Sequence, residues 1–435
     1  MKLLLMKFLT VLSLCLLSTI TFAEDSIAVS NVAINNVPVP ELIKEAQAFD
    51  WLAQDPAARR AQNLRASVEA EAGLTRTSPY EWTAGYTHQK RTYEGIDKRS
   101  NEWNLELERT VRLPGKYAAD QRIAEATMGN ASAQYNLARR EAAEGLITSY
   151  LGWLETRGVL ALLQQQQQAA ETNANAVAKR VKSGDAAAMD ERLATADLAD
   201  VRRKVSSAQT TANHAWSQLS ARYPVTPSTT GAQAALPDPF PVPQDSYWWQ
   251  ERIMAASDEL AIAQAEQASA KAGADRTSQD RIPDPTIGVF TGREAYGNEQ
   301  LVGVRISMPV PGQKRSLTHR KQLAEANLAQ DNLDLTQREL LGRARGAYSD
   351  AVGSFERWQL ANTTSTTMQE NARLLTKAYS LGEQDLQTLL LGRQQAAAAG
   401  EEELQARAEA LQSYFQLLLD AKLLWPQILF EEAKK

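Results

Sequence analysis

Val111-Arg112-Leu113-Pro114-Gly115-Lys116 recurs as Met308-Pro309-Val310-Pro311-Gly312-Gln313-Lys314. Each stretch closes a strand-like segment and opens a long run rich in Ala, Leu, Gln and Arg. The Pro-Gly pair returns after 197 residues, and one inserted residue at Gln313 moves the offset to 198. That offset pairs Lys116 with Lys314, Tyr150 with Tyr348, Gly184 with Gly382, Asp185 with Glu383 and Trp216 with Tyr414. An offset held constant over such a distance marks an internal duplication.

Upstream of each junction lie two alternating segments joined by a polar turn. In the first unit they cover about residues 80–111, with Trp82, Ala84 and Tyr86 on one face. The second of them sets Trp103, Leu105 and Leu107 against Glu102, Asn104, Glu106 and Glu108, the period of two expected of strands wetted on one side. In the second unit they cover about residues 286–309, where Val302, Val304, Ile306 and Met308 alternate with Leu301, Gly303, Arg305 and Ser307.

Downstream, residues 117–183 and 315–381 contain no proline and mostly strong helix formers. At about 1.5 Å per residue, each run reaches roughly 100 Å as one helix. Such a length suits a coiled coil or a tube wall better than a compact globule. Gly184-Asp185 and Gly382-Glu383 then mark reversals, since Gly ends one helix in the left-handed conformation and an acidic residue suits the start of the next. The returning segments, to about residues 222 and 424, carry apolar seams. One runs through Ala194, Leu198, Val201, Val205, Ala208, Ala212, Ala215 and Leu219; the other through Leu404, Ala408, Leu411, Phe415 and Leu418. These heptads speak of packing, and a plain antiparallel coiled coil would explain both.

The resulting organisation is mainly α with a small β part, a duplicated unit of strand hairpin plus long helical hairpin. Residues 24–222 form the first repeat, 247–425 the second and 426–435 a tail, with helices expected near 40–72 and 246–274 ahead of the strand pairs. Residues 223–246, with six prolines, read as an irregular linker, and residues 24–38 as an extended N-terminal strap.

Residues 1–23 read as a signal peptide: Lys2 and Lys7, an apolar stretch from Phe8, then Thr21-Phe22-Ala23 at the cut. Cys15 is the only cysteine, so the processed chain holds neither disulfide nor thiolate metal site. Leu14 before Cys15 argues against lipid attachment there. Loss of Lys2 and Lys7 leaves 45 basic against 52 acidic residues, which gives no support for nucleic acid as a partner. No later segment approaches the roughly 20 apolar residues of a membrane-spanning helix, so any span must be a closed β-barrel.

His88, His214 and His319 lie far apart without a second ligand at metal spacing. H-E-x-x-H, G-x-S-x-G and phosphate-loop patterns are absent. No catalytic residue, metal or cofactor is expected, and the chain does not read as an enzyme.

The signal peptide, the duplicated strand hairpin, the two Pro-Gly junctions and the reversals at Gly184 and Gly382 together resemble the TolC-like outer-membrane efflux protein family, over essentially the whole processed chain. The resemblance implies a homotrimer in outer-membrane lipid, in which four strands per subunit close a twelve-stranded barrel and the helices continue it as a periplasmic tunnel. It implies a periplasmic adaptor (membrane fusion protein) and an inner-membrane pump of the resistance-nodulation-division type as partners. Ser183, Gly184, Asp185, Leu381, Gly382 and Glu383 map to the periplasmic tip where adaptors dock. Asp190, with Glu191 and Asp385, maps to its constriction; Thr388 stands where the second unit would carry the acid. Pro114, Gly115, Pro311 and Gly312 mark the strand-to-helix junctions. Short outer turns, about residues 93–98 and 293–298, are similar to those of members serving heavy-metal cation pumps. Type I protein secretion and a periplasmic coiled-coil adaptor are the alternatives, although adaptors typically carry a single hairpin.

Overall fold

A computed structural model describes residues 37–39, 42–93, 98–225 and 235–429. The expected signal peptide with Cys15, most of the N-terminal strap, the first outer turn, the middle of the linker and the last six residues lie outside these. The chain divides between Pro38 and Val39 into two compact parts, which are not the two repeats. The fold below is that of the second.

Four antiparallel strands form one sheet in the order β1 (Thr83–Tyr93), β2 (Lys98–Thr110), β3 (Thr286–Glu294), β4 (Glu299–Ser307). Two hairpins far apart in sequence therefore join through β2 and β3, and β1 and β4 are left as edges. The register sets Ala84 opposite Leu107, Leu107 opposite Val289 and Val289 opposite Val304. It likewise aligns Gly85, Glu106, Phe290 and Gly303 across the other face. One face is thus apolar and the other polar, as the period of two dictates. The apolar face has nothing over it: Val302 is 78%, Val304 67% and Ile306 72% exposed. On the polar face Arg305 faces Gly288, which presents no side chain, and pairs with Glu106 at 2.9 Å.

Helices follow each hairpin. α1 (Glu45–Ala53) and α2 (Pro56–Arg76) precede β1; α3 (Pro114–Lys182) and α4 (Ala188–Arg222) follow β2. α5 (Ser246–Ala256) and α6 (Asp258–Gln279) precede β3; α7 (Gln313–Leu381), α8 (Leu386–Asp420) and the short α9 (Pro426–Leu429) follow β4. α3 and α7 are each 69 residues and α4 and α8 each 35, so α3 and α7 extend roughly 100 Å. α3 begins three residues earlier than its propensity suggests, because Pro114 occupies the first helical turn, where its missing N–H is no loss.

Two expectations need correction. The single helices expected near residues 40–72 and 246–274 are each broken in two. Asp55 leaves the helical conformation and its side chain accepts from Ala57 N at 2.7 Å, with Pro56 lacking an N–H for the turn before. Ser257 does the same, its Oγ accepting from Leu260 N at 3.1 Å.

The half of α3 nearest the strands lies against α2 and α6, as in the Arg122–Asp275 pair at 2.8 Å. The other half lies against α4, as in Glu171–Arg202 at 2.8 Å. Between these halves the rings of Trp51, Tyr150, Trp153 and Trp216 form a chain at centroid spacings of 6.4, 5.6 and 5.1 Å. The linker is irregular but packed where it is described, with the Tyr223 hydroxyl donating to Ala142 O at 3.1 Å. Unlike α3, buried along most of its length, α7 buries only Leu340, Ala344, Ala351, Ser354 and Ser365. It leaves Leu317, Leu323, Leu328 and Leu335 at least half exposed.

The strand-to-helix junction of the first unit holds a buried ionic cluster. Lys116, 1% exposed, reaches Asp280 at 3.1 Å and Asp284 at 3.0 Å. Asp284 also accepts from the Tyr80 hydroxyl at 2.9 Å and Leu113 N at 3.0 Å. Asp120 is shared by Arg112 at 2.8 Å and Arg276 at 2.7 Å. Elements of both units are tied together at this level.

Candidate functional site

The end of the bundle away from the sheet carries the two helix reversals. After α3 the chain turns at Gly184, φ +83, and after α7 at Gly382, φ +76. Both lie in the left-handed region, where a Cβ is penalised. Asp185 N donates to Arg180 O at 2.8 Å and Glu383 N to Ala378 O at 3.0 Å, so each reversal satisfies carbonyls left over at its helix end. Ser183, Gly184, Asp185, Leu381, Gly382 and Glu383 are all exposed here. The Ser183 hydroxyl bonds the Asp185 carboxylate at 2.7 Å, stiffening the first turn.

The two returning helices start differently. Asp385 caps α8, accepting from Thr388 N at 2.7 Å, and these bonds hold its carboxyl below the usual range. Thr388, at the position where the first unit carries Asp190, is thereby a partner of the cap. At α4 the cap position is Ala187, whose methyl group can accept no hydrogen bond, and Asp190 and Glu191 sit in the first turn instead. There they complement the positive end of the helix dipole. Both are partly exposed.

Behind the reversals, Val177 of α3, Ala194 of α4 and Leu386 and Leu389 of α8 form a buried cluster, with Val181, Leu375, Tyr379 and Leu390 against it. Arg180 lies 5.6 Å from the centre of the Tyr379 ring. Further from the tip, Arg393 of α8 donates to Ala169 O at 3.4 Å and Thr376 Oγ1 at 3.5 Å, bridging α3 and α7. Burial draws its guanidinium below the ordinary value, against the opposing pull of Asp197. The two reversals thus belong to one packed end. Pro114 and Gly115 open α3, whereas Pro311 stands before α7 and Gly312 at its cap, which puts these four at the opposite end, beside the sheet.

Sequence reasoning located the reversals and missed the cluster and Arg393. The Leu389-Leu390-Leu391 run was the available signal, since so much apolar side chain beside an exposed turn requires cover. The capping role of Thr388 was legible from Asp385 three residues before it. Among the described residues, no group of three or more His, Cys, Asp or Glu could hold a metal ion. No helix among them is long and apolar enough to cross a membrane.

The family described as outer membrane efflux protein matches residues 50–222. No curated protein sequence matches. Among solved structures, the Campylobacter jejuni CmeC outer membrane channel is similar at 13% identity and TM-score 0.67, covering 90% of this chain and 87% of that one. VceC, an outer membrane protein of Vibrio cholerae, is similar at 15% identity and TM-score 0.67, covering 87% and 94%. The open state of the Neisseria gonorrhoeae MtrE outer membrane channel is similar at 13% identity and TM-score 0.63, covering 91% and 93%. At such identities the likeness is one of fold: a mainly helical chain with a small antiparallel sheet, folded as outer-membrane channels are.

Proposed function

We propose that this chain is one subunit of a trimeric outer-membrane conduit in a tripartite efflux system, working with a periplasmic adaptor and an inner-membrane pump of the resistance-nodulation-division type. The observation that carries the reading is the sheet. It presents an uncovered apolar face, a polar opposite face and two unpaired edges, and continues into helices roughly 100 Å long. In lipid, open edges are prohibitive and closure removes them. Three copies give twelve strands, with the polar face and its Arg305–Glu106 pair turned to the lumen. The equal lengths of α3 and α7, and of α4 and α8, support a duplicated chain and hence a nearly sixfold tube. The outer membrane efflux protein family is one of conduits, not enzymes.

In this reading the exposed reversals form the periplasmic tip, Ser183, Gly184, Asp185, Leu381, Gly382 and Glu383 offering the adaptor its docking surface. Asp190 faces the constriction from α4, with Glu191 and Asp385 nearby. The cargo is metal cations or small toxic compounds, driven by the pump and passed by the conduit without tight binding.

The test is single-channel conductance of the purified protein in a planar bilayer, with its mass in detergent. The expected result is a trimer giving discrete steps, with Asp190→Lys altering cation conductance in an intact trimer. A water-soluble species that never inserts would overturn the conduit, and unchanged conductance in folded Asp190→Lys would remove Asp190 from the constriction.

A further inference from the structure

The junction between the two units inside one chain is built twice in sequence but once in the structure. Thr77 and Asp280 are the C-caps of α2 and α6, and Thr83 and Thr286 open β1 and β3, both 203 residues apart. That spacing aligns Glu81-Trp82-Thr83-Ala84-Gly85 with Asp284-Pro285-Thr286-Ile287-Gly288. Thr110 and Ser307 likewise close β2 and β4. The first set meets the second within the chain, at β2 and β3. The remaining halves, at β4 and β1, are the two free edges.

Where the proposed closure brings β4 of one copy against β1 of the next, we infer that the register sets Ser307 opposite Thr83 and that Lys314 forms an ion pair with Glu81 of the next copy. The inference rests on the trimeric reading above and deepens it. Three features of the junction seen within the chain predict its counterpart. The Thr110 and Thr286 hydroxyls bond at 2.8 Å; Ser307 and Thr83 again bring two hydroxyls together. Glu108 faces Gly288; Arg305 would face Gly85, again a long side chain against a glycine. Lys116 reaches Asp284 at 3.0 Å; its counterparts are Lys314 and Glu81, both exposed and without an ion pair among the described residues.

The register also keeps the faces of the sheet consistent. Val304 and Ile306 would lie opposite Tyr86 and Ala84, which share their apolar face within the chain. A slip by one residue would set apolar against polar. The helices point the same way: α3 is covered by α2 of its own repeat and α6 of the other, whereas α7 is covered by α5 and α6 of its own repeat and, among the described residues, α2 does not pack on it. The half-exposed leucines of α7 match Leu64, 50% exposed, and Leu74, 76% exposed, on α2 of the next copy. Thr77 stands where Asp280 does, so Lys314 has one carboxylate where Lys116 has two, and the pair between copies is the weaker.

The test uses the full chain with Cys15→Ser and paired cysteines, oxidised in the membrane and read by denaturing electrophoresis, beside the mass of the detergent-solubilised protein. The expected result is a trimer in which Ser307→Cys with Thr83→Cys, and Val304→Cys with Tyr86→Cys, cross-link between chains. Cross-links instead at Arg305→Cys with Thr83→Cys, in an intact trimer, would overturn the register and leave the conduit standing. A species that never forms a trimer would overturn both. Lys314→Glu is expected to speed trimer dissociation by about twofold to fivefold, the range of an exposed pair, and Glu81→Lys added to it to restore the rate. No acceleration in Lys314→Glu would overturn the ion pair.

Discussion

Replacing Lys116 by methionine removes the cation that two carboxylates share inside the strand-to-helix junction. Taking one partner from a buried pair costs about 3–5 kcal/mol, because the other is left charged without compensation. The loss here is smaller. Asp284 keeps the Tyr80 hydroxyl at 2.9 Å and Leu113 N at 3.0 Å, and the Asp280 side chain is 35% exposed and still paired with Arg276. About 2–3 kcal/mol then remains to be lost. Spread over about 400 residues at about 2.1 cal/mol/K each, that lowers the unfolding midpoint by about 3 °C. The assay is thermal unfolding of the detergent-solubilised protein, followed by far-ultraviolet circular dichroism. The pH dependence supplies a second reading. Burial pushes the Asp284 carboxyl upward, but the bonds from Lys116, Leu113 N and Tyr80 outweigh it and hold the carboxyl below its usual range. A depressed value in the folded state contributes stability above the unfolded value of about 3.9, lost as the pH falls through the folded one. The gap between wild type and Lys116→Met should therefore be full at pH 7 and close below about pH 4. A shift under about 1 °C at pH 7, or one unchanged at pH 3, would refute the reasoning.

Gly382→Ala meets no atom within 4 Å, so its cost is the left-handed backbone alone, about 1–2 kcal/mol, read as a lowered unfolding midpoint. Ala187→Ser gives α4 the side-chain cap it lacks at an extended cap position and should raise stability by about 0.5–1 kcal/mol in the same assay. Asp385→Ala should destabilise at pH 7. Because the cap bonds depress that carboxyl, the difference should disappear as the pH falls below the carboxylate range, and a pH-independent difference would contradict the cap.

The sheet and the long helices were legible because each rests on local periodicity. The alternation of Trp103, Leu105 and Leu107 with glutamates fixes which face of β2 is apolar, and absence of proline fixes the continuity of α3 and α7. The breaks at Asp55 and Ser257 escaped because each depends on a cap competing with otherwise good helix formers. The reversals were legible from Gly184 and Gly382, whose conformation no other residue adopts as readily. The cluster of Val177, Ala194, Leu386 and Leu389 was not, because it joins α3, α4 and α8 across more than 200 residues. The partners of Lys116 were hidden for the same reason, since Asp280 and Asp284 come from the other unit.

The contrast between α3 and α7 bears on how the protein can be made. α3 is covered by its own chain, whereas α7 and the apolar face of the sheet leave leucines and valines exposed. Contiguous apolar surface beside unpaired strand edges is the signature of an aggregation-prone intermediate. In the proposed assembly, a subunit that has not yet met its partners is therefore a transient species to be chaperoned or assembled quickly, and the rate of encounter between copies would set the yield of tubes.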